Sequence, residues 1–219
     1  MASLFNISDI KHGKIDKAGF GSEKYSKEVK VFLDELITFS KRQKSQYKII
    51  ADALVNTKLP EPGEIFRIRT QTQLNLFCVI SKILYEHAKI DTLYIATYTL
   101  NNDIFDNLVS LVKSGKIKTL NLLIASSYKF RNEKMYIKFK DVCSATKNIH
   151  LVFAWSHFKI SIALTGDNYY HWEGSMNYSV NNMAENLILS NDKELCGNDI
   201  NFIKNVMEGR KTKALEVIC

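Results

Sequence analysis

The sequence predicts an α/β fold, a mixed β-sheet flanked by helices, with an N-terminal helical extension. Three observations lead there. Between residues 64 and 155, strand-like runs alternate with runs of helical periodicity. From 157 to 190, three strand-like runs follow one another with no helix between them. The only prolines, Pro60 and Pro62, stand with Gly63 in LPEPG and punctuate the chain between an extension (1–59) and a main domain (60–219).

The first 20 residues are polar and contain glycine, which predicts weak structure. Residues 24–56 read as helix. Val29, Phe32, Leu36 and Phe39 form one stripe, Tyr47, Ile50 and Leu54 a second, and Lys41, Arg42, Lys44 and Lys48 lie between them. After the boundary, EIFRIR (64–69) alternates apolar and polar residues like a strand. Leu76, Val79, Ile80, Ile83 and Leu84 give a helical face. TLYIATYTL (92–100) is β-branched and aromatic, the composition of a buried strand. Asn102 or Asp103 then caps a helix carrying Ile104, Leu108, Leu111 and Val112, which Gly115 ends. TLNLLIA (119–125) is a strand, 131–145 a helix with Tyr136, Phe139, Val142 and Cys143 on one side, and IHLVFAW (149–155) a strand. HFKISIAL, NYYHWEG and ENLILS are the consecutive strands, the first two joined by a hairpin turn at Thr165-Gly166-Asp167-Asn168. A last helix, about 199–209, carries Ile200, Ile203 and Met207.

The 219 residues carry a net charge of +7. That balance fits a polyanionic partner, nucleic acid or an anionic membrane surface, and equally fits an ordinary soluble protein. Lys129, Arg131, Lys134, Lys138 and Lys140 crowd one helix and its approach. Such residues supply phosphate contacts without sequence readout, or a merely solvated face. Cys78, Cys143, Cys196 and Cys219 have no paired spacing and read as reduced thiols. No Cys or His pair has zinc-ligand spacing, so no metal is expected. No signal-peptide pattern opens the chain, and no apolar run reaches the roughly 20 residues that span a bilayer. A cytoplasmic protein without stable membrane insertion is the expectation.

The residues with chemistry cluster late in the chain. Side chains alternate along a strand, so His157, Lys159, Ser161 and Ala163 share one face of HFKISIAL. Phe158, Ile160, Ile162 and Leu164 share the other and fill core. A His beside a Lys is usually inert on a surface. Fifteen residues after Lys159, however, comes GSMN: Gly174 permits close backbone approach, and Ser175 and Asn177 bring a hydroxyl and a carboxamide suited to phosphate oxygens. Glu185 follows in NMAENLIL and can fix the His157 tautomer. Each alone is a turn or a strand end; on adjoining strands they form the set that phosphoryl transfer without a metal needs.

HxK, then GSxN, then Glu before an apolar strand resembles the phospholipase D superfamily, above all its one-motif endonucleases of the Nuc type. The resemblance covers about residues 64–208, is most similar in GSMNYSVNNMAENLIL, and excludes 1–59. It departs from the family at HxKxxxxD. Leu164 stands where the motif has Asp, and the nearest Asp is Asp167 in the turn.

The resemblance implies a phosphodiesterase needing no cofactor. His157 forms a phosphohistidine, and a second His, supplied by the partner in a homodimer, serves as acid and then base. Lys159 and Asn177 hold the non-bridging oxygens, Ser175 positions the phosphate or its loop, and Glu185 orients His157. Gly174, Thr99, His171, Trp172, Lys129 and Arg131 are candidates for substrate contact, although a His among aromatics, as His171 is, more often serves structure. The expected activity is a nuclease, on DNA before RNA. The alternatives are a phospholipase or other phosphodiesterase, and a non-catalytic nucleic-acid-binding dimer.

Overall fold

The computed structural model describes residues 58–70, 76–179, 185–210 and 215–218. The predicted helices over 24–56 lie outside these residues. Apolar alternation and helical periodicity fold 65–217 into strands β1 (Ile65–Thr70), β2 (Ile90–Thr97), β3 (Ile117–Ala125), β4 (Ile149–Ala154), β5 (Lys159–Thr165), β6 (Asn168–Gly174), β7 (Glu185–Asn191) and β8 (Leu215–Val217). The helices are α1 (Phe77–His87), α2 (Asn102–Lys113), α3 (Tyr128–Arg131), α4 (Glu133–Ser144) and α5 (Lys193–Met207).

One sheet joins all eight strands in the order β1-β7-β6-β5-β2-β3-β4-β8. β2, β3 and β4 run parallel, as helical crossovers require. β5, β6 and β7 follow as antiparallel neighbours, and β5 docks against β2. The sheet is therefore mixed, and its polarity switches between β2 and β5. The Gly166-Asp167 turn closes the β5–β6 hairpin at the Thr165↔Asn168 pair, and Gly166 takes φ +54° there, which a side chain would resist.

Alternation gives the sheet two apolar faces. Leu93, Ile95, Leu122, Ile124, Leu151, Phe153, Ala163 and Trp172 join the buried faces of α1, α2 and α4 in the larger cluster. Phe105 and Phe139 meet within it at 4.1 Å between ring centroids, a contact that adds about 1 kcal/mol to burial. Tyr94, Ala96, Leu123, Val152 and Ile162 face the other way and are covered by Cys196, Ile203 and Val206 of α5. Phe158, Ile160 and Leu164 pack on this second cluster, and Ala163 belongs to the first. Both faces of β5 are thus apolar beyond Ser161. Cys78, Cys143 and Cys196 are buried, and none of them forms a disulfide among the described residues. Among the described residues no helix is long and apolar enough to cross a membrane.

Several boundaries differ from the sequence reading. Asn101, not Asn102 or Asp103, caps α2, accepting from Ile104 N at 2.8 Å. The helix expected over 131–145 is α4, and a short helix not expected from the sequence, α3, precedes it; Asn132 ends α3 and caps α4, accepting from Met135 N. α5 starts at Lys193 rather than near 199, because Asp192 accepts from Leu195 N at 3.0 Å and nucleates the turn earlier. β5 begins at Lys159, so His157 lies in the loop before it. β8 was not predicted. Three residues on a sheet edge are too short for a periodic signal, and Tyr136 and Lys140 fasten them through Glu216.

Candidate active site

Ligands in open α/β sheets settle outside the carboxyl ends of the strands, where the strand order reverses and connections leave neighbouring strands in opposite directions. Here that place is the end of β2 beside the start of β5, with Thr97 paired to Lys159. The chain leaves β2 through Tyr98 and Thr99 and is tied down at once. Thr99 O accepts from Thr97 Oγ1 at 2.9 Å and from Tyr178 N at 3.2 Å, and Tyr178 O accepts from Asn101 N at 2.9 Å. These bonds hold the 98–101 segment against 176–178, just past GSMN. Thr99 contributes its backbone carbonyl to this clamp.

His157 is exposed, and its Nδ1 lies 3.1 Å from Lys159 Nζ. Its ring packs on Tyr98, centroids 4.4 Å apart. With Lys159 as ammonium, Nδ1 accepts, so a neutral ring carries its proton on Nε2, the form that donates. A nucleophilic Nε2 needs the opposite tautomer. Burial pulls the Lys159 ammonium below the usual lysine range, and the charge of Glu185, with a smaller contribution from Tyr98, opposes that shift.

Directly after β6, Ser175 Oγ donates to Glu185 Oε2 at the start of β7 and accepts from Asn186 N at 3.0 Å. Glu185 is buried and Ser175 exposed. Gly174 sits where a β-carbon would fall 2.0 Å from Asn186 O. The close approach expected of this glycine is thus made by the neighbouring strand. Asn177 Oδ1 is buried without a hydrogen-bond partner. Beneath the site, Ser161 Oγ and Tyr178 OH bond at 2.7 Å, and burial raises the Tyr178 phenol well above its ordinary range.

The remaining candidates divide. Arg131 reaches the site: its guanidinium carbon lies 4.0 Å from the Tyr98 ring centroid and one Nη donates to Tyr98 O at 2.9 Å. Lys129 turns instead to Glu216, 3.9 Å away, which Lys140 also pairs at 2.9 Å, while Lys138 pairs with Asp106 at 2.6 Å. Carboxylates therefore balance three of the basic residues that the sequence grouped. Trp172 pairs with Ser161 on the face of Lys159 but is fully buried in the core. His171 faces the opposite side, buried, with Nε2 2.8 Å from Asp199 Oδ2 of α5. The structure thus gathers His157, Lys159, Ser175, Glu185 and Arg131 with the Thr99 backbone, and leaves Lys129, His171 and Trp172 outside the cluster. The sequence reading passed over Tyr98 and Tyr178. Their signals were an aromatic directly after a buried strand and an aromatic directly after GSMN.

No family model matches the chain, and no curated protein matches it. Solved structures similar to it include Nuc from Salmonella typhimurium, a phospholipase D family member, at 15% identity and TM-score 0.48, covering 68% of this chain and 96% of Nuc. Polyphosphate kinase from Porphyromonas gingivalis aligns at 13% identity and TM-score 0.49, over 67% of this chain and 26% of the kinase. Phosphatidylserine synthase from Haemophilus influenzae aligns at 14% and 0.48, over 70% and 39%.

Proposed function

We propose that this protein is a metal-independent phosphodiesterase, and specifically a nuclease, working through a phosphohistidine on His157 in a homodimer. The observation that carries the reading is the pairing of His157 with Lys159 at the exposed end of the sheet. Beside them stand the joined Ser175, directly after β6, and Glu185, at the start of β7. The order of these residues in the sequence supports it independently.

In the proposed reaction, substrate phosphate draws Lys159 Nζ off Nδ1 and onto a non-bridging oxygen, where charge develops. Nδ1 then carries the ring proton and Nε2 is free. The Nε2 lone pair attacks phosphorus, the bond to the leaving oxygen breaks, and His157 of the partner subunit protonates that oxygen. Water then attacks the phosphohistidine and gives its proton to the same partner group. The P–N bond breaks, returning His157 and a phosphomonoester. Glu185 balances the charge on Lys159 and His157, while Ser175 and Asn177 position phosphate.

The test is cleavage of plasmid and oligonucleotide in EDTA by wild type and by His157→Ala, with circular dichroism showing that the variant folds. A phosphorylated wild-type intermediate, labile in acid and stable in base, is expected and should be absent from the variant. Wild type that cuts no nucleic acid at any salt concentration refutes the nuclease. Release of phosphatidic acid from a lipid would instead move the same chemistry to another substrate. Sedimentation showing only monomer at catalytic concentrations would remove the second histidine.

A further inference from the structure

Arg131 is held at the site in a manner its basic neighbours are not. One of the five N–H donors of the guanidinium goes to Tyr98 O, and the guanidinium carbon lies 4.0 Å from the centroid of that ring. The same ring receives the His157 imidazole at 4.4 Å. Tyr98 is therefore a common platform for the two groups, and their separation is fixed by its contacts rather than by two flexible side chains. The other donors of the guanidinium remain available, and Arg131 is exposed. Among the described residues no carboxylate lies within ion-pair distance of it, whereas Glu216 balances Lys129 and Lys140, and Asp106 balances Lys138. An unbalanced, pre-oriented fork is the group that best matches a phosphate. The guanidinium carbon at 4.0 Å and the imidazole centroid at 4.4 Å both contact the one Tyr98 ring, so a single strand that meets one group is brought against the other.

We propose that Arg131 binds the phosphate adjacent to the one attacked by His157, with the Tyr98 ring setting the interval between them. The site then suits a chain of phosphodiesters and discriminates against an isolated one. This rests on the catalytic reading of His157, but the phosphate contact itself does not.

The experiment compares full-length wild type with Arg131→Ala and Arg131→Lys on two substrates, an oligothymidylate and bis(p-nitrophenyl) phosphate, which holds a single diester. Loss of one charge-assisted contact lowers kcat/KM for the oligonucleotide about tenfold or more in Arg131→Ala, mainly through KM. Activity on the single diester stays within about twofold, and lysine restores only part of the loss. Equal effects on both substrates, or none, overturn the proposal. A second measurement needs no catalysis: the slope of log K against log salt for oligothymidylate binding falls by about 0.7 in Arg131→Ala. An unchanged slope refutes the phosphate contact. Wild type that cleaves neither substrate refutes the catalytic reading, while the slope still decides Arg131.

Discussion

Replacing Gly174 with alanine separates two explanations of that glycine, packing against the next strand or room for a ligand. The new β-carbon would lie 2.0 Å from Asn186 O, 3.0 Å from Asn186 C and 3.1 Å from Leu187 Cα. All three are backbone atoms of β7, so no side-chain rotation relieves the clash, and the β6–β7 ladder must open at the Gly174↔Leu187 pair. The displaced carbonyl is also the acceptor for Ser175 N at 3.1 Å. Overpacking costs about 1–3 kcal/mol and the lost hydrogen bond about 1 kcal/mol, so the substitution should destabilise by roughly 2–4 kcal/mol. In a chain of this size that lowers Tm by about 4–16 °C. Urea unfolding of both proteins, with Tm as a second readout, measures it. A stability within about 0.5 kcal/mol of wild type would refute the steric argument. If activity alone were lost, the glycine would owe its place to a ligand.

Tyr178→Phe leaves the buried Ser161 hydroxyl without its partner and should cost about 1–3 kcal/mol in urea unfolding. Adding Ser161→Ala should recover part of that loss, and simple additivity would show the pair to be uncoupled. The Lys159 pKa is lowered by burial, so if catalysis needs the ammonium, activity falls on the alkaline side at a lower pH than an ordinary lysine would give. Glu185→Gln removes the charge that opposes this shift and should move the alkaline limb of the pH–rate profile lower still; an unmoved limb counts against Lys159 as the titrating group. Because the folded state holds the Lys159 proton less tightly than the unfolded chain, the ammonium disfavours folding at neutral pH, and this penalty lifts as pH rises toward the ordinary lysine range. Lys159→Met should therefore lose activity without losing stability in urea unfolding. Tyr136 donates to Glu216, and with Lys140 and Lys129 it holds that carboxyl below the usual range. The stabilisation is present above the ordinary Glu range and is lost as pH falls through the lowered value. Amide exchange in β8 should accelerate there relative to β4, and Glu216→Gln should remove that step.

Periodicity made most of the fold legible. The apolar stripe of α1, the continuous apolar runs of β2 to β4 and the three uninterrupted strands after them dictate a mixed sheet, because each pattern buries only in one kind of element. Short-range chemistry was less clear where capping groups compete. Asn101, Asn132 and Asp192 set helix starts that periodicity alone places differently. Alternation along β6 separates His171 from Trp172, and the structure puts the first against α5 and the second in the larger core, whereas His157 precedes β5 and is brought to Lys159 by its loop.

By itself the sequence determined the class of fold and the residue types that could act on phosphorus, since periodicity and composition are properties of adjacent positions. The tertiary structure alone decided which charges remain available. Lys129 and Arg131 are two residues apart, yet one turns to Glu216 on the far edge of the sheet and the other to Tyr98 at the end of β2. It also decided that Gly174 makes room for a strand carbonyl. Both outcomes depend on which distant backbone lies alongside, and strand order, which no local pattern encodes, sets that.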